Sequence, residues 1–188
     1  LELNAEYYYT DFQNQIVVNV DGQAGKHSVN FENLDGRSYS HTLQIDATYP
    51  FFDGFSAMVA FRLNDARTTY DGVLRRRPLT SRYKGLITLS YRTPLQLWHF
   101  DLTAHLNGKG ERYDRTPYPS FGQLQAQVTR EFRRFSIYAG GENLTNYKIK
   151  NAIACADNPW LPAFDATQIW GPIDGAMAYI GLRFKLEK

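Results

Sequence analysis

The sequence predicts an all-β protein, an antiparallel transmembrane β-barrel wall of about eight strands. Three observations carry this reading. Apolar and polar residues alternate with period two along almost the whole chain. Short connections alternate with long polar ones, and aromatic residues collect at the ends of the apolar stretches. No apolar run reaches the roughly 18 to 20 residues of a spanning helix, so any membrane crossing has to be made by strands.

The chain opens with Leu1, Leu3, Ala5, Tyr7 and Tyr9 alternating with Glu2, Asn4, Glu6, Tyr8 and Thr10. With no initiator Met and no leader-like segment, it reads as starting inside a strand. The second strand sets Tyr39, His41, Leu43, Ile45, Ala47 and Tyr49 on one face, and the third Phe55, Ala57, Val59, Phe61 and Leu63. In the fourth, Tyr83, Gly85, Ile87, Leu89 and Tyr91 oppose Lys84, Leu86, Thr88, Ser90 and Arg92. The fifth is the cleanest, with Trp98, Phe100, Leu102, Ala104 and Leu106 opposing His99, Asp101, Thr103, His105 and Asn107. Its span matches the ~9 to 11 residues of a tilted membrane strand. The sixth carries Leu124, Ala126, Val128 and Phe132 against Gln123, Gln125, Gln127, Thr129 and Glu131, a row of amides unsuited to a hydrophobic core. The seventh reads Phe135, Ile137, Ala139 and Gly141, and the eighth Ala176, Ala178, Ile180, Leu182 and Phe184.

A soluble sandwich also has one apolar face per strand, so the connections have to decide. Tight turns fall at Phe52-Asp53-Gly54, at Thr93-Pro94-Leu95-Gln96 and at Arg133-Arg134; the other connections cover roughly residues 21–37, 65–82, 109–120 and 146–174. Short turns at one end and long polar loops at the other are the outer-membrane pattern. Tyr49 and Phe55, Tyr91 and Trp98, and Phe132 and Phe135 flank the tight turns, while Tyr39, Tyr83 and Phe121 form a second belt at the long-loop end. In hydrocarbon every backbone polar group must be paired, so such a sheet has to close, either alone as eight strands or as one arc of a wider barrel.

Composition removes several function classes. The 188 residues hold 21 Lys+Arg against 19 Asp+Glu, a net charge of +2, which lacks the electrostatic footprint of a nucleic-acid binder. The 13 Tyr, 12 Phe and 3 Trp must pack or sit at an interface. Cys155 is the single Cys, so no disulfide framework forms within the chain; it reads as a small residue open to burial in its loop. His99 and His105 share a face but lie roughly 20 Å apart at strand rise, too far to share a metal. His27 and His41 stand alone, so neither a metal nor a cofactor is expected. No GxSxG, paired-carboxylate or His-centred arrangement supports an enzyme. Asn143-Leu144-Thr145 matches a glycosylation sequon with no role in a bacterial outer membrane.

The stretch Tyr138-Ala139-Gly140-Gly141-Glu142-Asn143-Leu144-Thr145-Asn146-Tyr147, then Phe164-Asp165-Ala166, Ile169-Trp170-Gly171-Pro172-Ile173 and Tyr179-Ile180-Gly181-Leu182-Arg183-Phe184, resembles the end of TonB-dependent outer-membrane receptors. Earlier segments are similar too, among them Leu79-Thr80-Ser81-Arg82-Tyr83-Lys84-Gly85 and Trp98-His99-Phe100-Asp101-Leu102-Thr103, so the likeness covers essentially the whole chain. The resemblance implies a barrel of about 22 strands closed by an N-terminal plug, in the outer membrane of a Gram-negative bacterium. It also implies uptake of a siderophore, cobalamin or oligosaccharide, driven through TonB. Residues 1–188 then read as the C-terminal portion of that barrel, with no plug domain and no TonB-contacting segment. The implied partners are outer-membrane lipid, the chain's own plug and remaining strands, TonB through the missing N-terminal region, and a surface lipoprotein.

Within that frame the polar face presents Asp46, Arg62, Arg92, Asp101, Glu131, Glu142 and Arg183, which either contact the plug, line a solute path, or form a solvated wall of mixed charge. Arg75-Arg76-Arg77 and Arg82 in a long loop either bind an anionic ligand or lipopolysaccharide or form a solvated charge run. Trp160, Phe164 and Trp170 either stack on a ligand or pin their loop to the rim. Two other classes stay open: a self-standing eight-stranded outer-membrane protein with a structural, adhesion or lipid role, and a soluble barrel with an apolar interior.

Overall fold

The computed structural model describes residues 1–21, 28–162 and 164–185. His27 lies outside them. The described residues form thirteen strands and no helix: β1 (Glu2–Asp11), β2 (Ile16–Asp21), β3 (Ser28–Asn33), β4 (Ser38–Phe52), β5 (Phe55–Tyr70), β6 (Val73–Arg76), β7 (Tyr83–Arg92), β8 (Trp98–Asn107), β9 (Gly110–Glu111), β10 (Pro117–Tyr118), β11 (Phe121–Glu131), β12 (Phe135–Glu142) and β13 (Met177–Phe184).

Eight of these build the wall, an antiparallel meander in the order β1-β4-β5-β7-β8-β11-β12-β13, with β6 paired to β5 at the long-loop end. They are the eight strands that the period-two alternation predicts. Short ladders fill the loops: β2 pairs β3 and β9 pairs β10. The wall is an open sheet, and its outer strands β1 and β13 do not pair with each other.

Register holds the two faces apart. Ala5 pairs with Ile45, Ile45 with Phe61, Phe61 with Gly85 and Gly85 with Leu106. Leu102 pairs with Ala126, Ala126 with Gly141 and Gly141 with Ala178, so one apolar face runs unbroken across all eight strands. A one-residue slip at any seam would turn an apolar row to the polar side. The tight turn after β4 depends on Gly54, which has φ +84° and faces the Arg92 carbonyl, where a Cβ has no room.

Burial inverts the soluble pattern. Among the described residues the buried hydrophobic side chains are Val17 and Tyr118, while Leu3, Ile45, Val59, Ile87, Leu102 and Ile180 stand exposed on the wall. Covering one such side chain is worth about 1.5–3 kcal/mol, so a water-facing sheet would not leave this row open. Such a face needs an apolar neighbour, which hydrocarbon supplies.

The aromatic belt at the tight turns is continuous. Tyr49 and Phe51 approach to 4.9 Å, Phe51 and Phe55 to 5.5 Å, Tyr91 and Phe100 to 6.2 Å, and Phe132 and Phe135 to 4.5 Å. Arg130 lies over the Trp98 ring at 4.8 Å, a cation set at headgroup level. At the long-loop end Tyr9, Tyr39 and His41 cluster, and Tyr83 stacks on Phe61. Phe121 does not join this belt. It pairs with Asn107 on the polar face and stacks on Tyr147 at 5.2 Å, because it precedes the apolar row of β11 by an odd number of residues.

Candidate functional site

The polar face of the wall is a dense surface of hydroxyls, amides and scattered charges. Ser90 Oγ donates to Asp101 at 2.7 Å, Thr88 and Thr103 hydroxyls meet at 3.3 Å, and Tyr179 Oη donates to Gln127 Oε1 at 3.0 Å. Arg62 donates through Nε and Nη2 to Gln44 Oε1 at 3.0 and 2.5 Å, with Lys84 beside it in register. Near the tight turns Arg92 pairs in register with His99, Glu131 accepts an ion pair from Lys185 Nζ at 2.7 Å, and Arg183 lies over the Tyr138 ring at 5.8 Å. Glu142 sits at the opposite end of β12, level with Met177.

The charged candidates therefore spread over the height of the wall. Arg92, Glu131 and Arg183 stand near the tight turns, Asp101 midway, and Arg62 and Glu142 toward the long loops. Nothing in that spread converges a nucleophile, a base and an orienting group on one point. No group of three His, Cys, Asp or Glu able to hold a metal occurs among the described residues.

The loop after β12 folds back across this face. Asn143 anchors it: its Nδ2 donates to the Tyr147 and Asp174 carbonyls at 2.8 and 3.1 Å, while its Oδ1 accepts from Tyr147 N and Thr145 Oγ1. Asn143 is buried and has φ +49°, a backbone state that Asn tolerates well. In the sequence Asn143 stands out as part of a sequon and of the terminal family-like stretch; the cue to its anchoring role is an Asn at a strand exit followed by Thr and Asn, which is turn chemistry.

Of the three loop aromatics, Trp170 is the pin. Its indole lies parallel to Tyr118 at 5.0 Å, Nε1 donates to the Pro119 carbonyl at 3.0 Å, and the ring fills the space that a side chain at Gly110 would need. The Tyr118 hydroxyl in turn donates to the Gln168 carbonyl. Burial raises the Tyr118 hydroxyl above its ordinary value, partly offset by Arg112, whose guanidinium lies 4.9 Å over the ring. Phe164 is half-buried beside a bridge between Ala154 and Asp165. Trp160 is 92% exposed. Cys155 is exposed as well, in a turn with φ +52°, so it is not a buried packing residue.

Between wall and loop lies a cavity of about 570 Å³, lined by Arg62, Lys84, His105, Gln123, Gln125 and Trp170 among others. The structure thus brings Arg62 and Trp170 to one space and leaves Trp160 outside it. The arginine run divides: Arg76 pairs with Arg67 and Arg75 with Thr68, which places them on opposite faces of the ladder. Both Arg75 and Arg76 nonetheless line one small space of about 40 Å³, together with Arg112, Arg115, Tyr70 and Tyr113.

The same wall recurs in solved structures. The chain is similar to a ferric enterobactin receptor mutant of Pseudomonas aeruginosa, with 16% identity and a TM-score of 0.65 over 97% of this chain and 28% of that one. It is similar to the copper transporter OprC, with 14% identity and a TM-score of 0.75 over 98% of this chain and 29% of that one. The FrpB iron transporter of Neisseria meningitidis gives 12% identity and a TM-score of 0.64 over 97% and 28%. The chain thus spans 28% to 29% of the length of these structures, and at such identities the likeness is one of fold. No curated protein matches it in sequence. The sequence pattern described as "TonB dependent receptor-like, beta-barrel" matches residues 1–144, and with that match the chain belongs to the TonB-dependent receptor β-barrel family.

Proposed function

We propose that this chain is the C-terminal wall of an outer-membrane TonB-dependent transporter in a Gram-negative bacterium, importing a siderophore, cobalamin or oligosaccharide. The observation that carries the reading is the unbroken register, which gives a chain of this family one lipid-facing apolar side and one hydrated polar side. The open edges of β1 and β13 favour an arc of a larger barrel over a self-closed eight-stranded one. Within that barrel, Arg62, Arg92, Asp101, Glu131, Glu142 and Arg183 face the plug or the solute path. Trp160 and Phe164 reach solute arriving from outside, and Trp170 holds the cap over the wall. Partners are the plug, the remaining strands, TonB, surrounding lipid and a surface lipoprotein; no catalytic role and no resident cofactor are assigned.

The test starts in the source cells, with an antibody against the tail from Ala178 to Lys188. The reading expects a band much larger than this chain in the outer-membrane fraction, and loss of uptake of one solute from a panel of ferric siderophores, cobalamin and oligosaccharides when either the gene or TonB is deleted. A band of about this chain's size, or uptake that is indifferent to TonB, would overturn it.

A further inference from the structure

We propose that the lipid-facing side of the wall, at its tight-turn end, binds an anionic glycerophospholipid whose phosphate rests on Arg130. The proposal rests on the outer-membrane reading above, which sets the tight turns in the periplasmic leaflet.

Arg130 is out of place by residue type. It pairs in register with Trp98 on β8 and with Ile137 on β12, so it belongs to the apolar row of Leu124, Ala126 and Val128. A cation in that row faces lipid, at a cost that grows with depth. Its guanidinium lies 4.8 Å over the Trp98 ring and 5.6 Å over the Phe132 ring. Both rings attract the charge, yet neither accepts any of its five N–H donors.

More positive charge gathers beside it. Phe132 N donates to the Phe135 carbonyl at 2.8 Å, closing a two-residue turn that sets exposed Arg133 and Arg134 at its tip. Among the described residues the ion pairs belong to Arg67, Arg76, Arg82 and Lys185, so none of these three arginines holds a carboxylate. Glu131, next in the chain, faces the polar side and is taken by Lys185. Asp53 lies in the turn between β4 and β5, three seams away from β11. Three guanidiniums suit the net negative charge of an acidic headgroup better than a zwitterionic one, whose ammonium they repel.

The wall toward mid-membrane from Arg130 has room for an acyl chain. Val128 pairs with Ala139 and Ala126 with Gly141, a low strip two strands wide. Phe100 and Leu102 flank it on β8, in register with Val128 and Ala126. Ile180 and Leu182 flank it on β13, in register with Ala139 and Ile137. The Leu144 side chain closes the far end against Gly141. A chain lying in this groove meets Arg130 at its mouth, so one amphiphile satisfies both the cations and the apolar strip. A solute moving along the polar face never meets either.

The test uses the intact receptor in detergent, titrated with dioleoyl phosphatidylglycerol and with dioleoyl phosphatidylethanolamine, bound lipid being counted by native mass spectrometry. The unaltered receptor should bind the anionic lipid about tenfold more tightly than the zwitterionic one. The double variant Arg130→Gln, Arg133→Gln should erase that preference. Arg37→Gln, which removes a cation over Tyr39 at the other end of the lipid side, should keep it within about twofold. Ala139→Leu fills the groove and leaves every cation in place, so it should weaken both lipids alike, about threefold. Heat-modifiable gel migration checks folding, and Arg130→Gln alone serves if the double variant misfolds. Equal losses in Arg37→Gln and the double variant, or equal affinity of the unaltered receptor for the two lipids, would overturn the site. An Ala139→Leu variant that binds as the parent does would overturn the acyl groove. Competition by glycerol 3-phosphate at equal concentration would make it a free-anion site and overturn the lipid assignment. A receptor absent from the outer-membrane fraction would instead defeat the membrane reading itself, so the two failures are distinguishable.

Discussion

Tyr138 on β12 stands opposite Gly181 on β13, and two residues along Tyr179 stands opposite Gly140, so each strand supplies a ring where its neighbour supplies a gap. The two rings meet edge to face at 6.2 Å. A methyl group built on Gly181 overlaps the Tyr138 ring, and one built on Gly140 meets the Tyr179 hydroxyl and the Ala126 carbonyl. Gly181→Val is therefore expected to cost about 1–3 kcal/mol by overpacking, read from urea unfolding of the intact receptor in detergent. A variant as stable as the parent would show that the rings move aside freely.

The two faces should differ sharply in their tolerance of charge. Ile87 is exposed on the lipid side, and its chain neighbour Thr88 faces the polar side beside Thr103. Ile87→Arg should destabilise membrane insertion by about 2–4 kcal/mol, as expected for a lipid-facing cation near mid-membrane. Thr88→Arg should be tolerated far better. Folding into vesicles across a urea series compares them, and equal costs would contradict the assignment of faces.

Asn143 serves four hydrogen bonds from a buried position. Asn143→Ala strands the groups it serves, at a cost of about 1–3 kcal/mol for a buried unsatisfied partner. The loss should fall on the loop, so limited proteolysis between 147 and 174 should accelerate while the wall stays protected. Unchanged cleavage would mean that Trp170 alone holds the loop.

Alkaline pH should loosen the same loop. The folded loop accommodates neutral Tyr118, whose hydroxyl is raised by burial. Its stabilisation is thus complete below the ordinary tyrosine value of about 10 and is lost as pH rises through the higher folded value. Trp170 fluorescence should hold steady up to that range and change above it. Tyr118→Phe should reduce this alkaline change, while Tyr70, also raised by burial, is left in place.

The eight wall strands were legible because the period of a strand is local: alternation in ten residues needs no partner to be seen. Parity carried further than it was taken. Phe121 is odd in a strand whose apolar row is Leu124, Ala126 and Val128, so counting alone puts it on the polar side. Proximity to the loop end concealed this. β3, β9 and β10 fall inside stretches that read as connections, and β2 just ahead of one, because their pairing depends on turns that alternation does not encode. The roles of Asn143 and Trp170 were out of reach for a different reason. Their partners Asp174 and Pro119 lie 31 and 51 residues away, and no local pattern announces such contacts.

Tyr39 and Tyr49 mark both aromatic belts on a single strand, β4. Ten steps at roughly 3.3 Å make about 33 Å along the strand, and a tilt of about 40° lowers that to about 25 Å of height. The wall is therefore a gauge for a thin bilayer. A thicker one would cost a fraction of a kcal/mol for each ångström of mismatch, so the receptor thins the lipid around it or resides where lipid is already thin. Bilayer thickness thereby sets how far the loops stand above the surface.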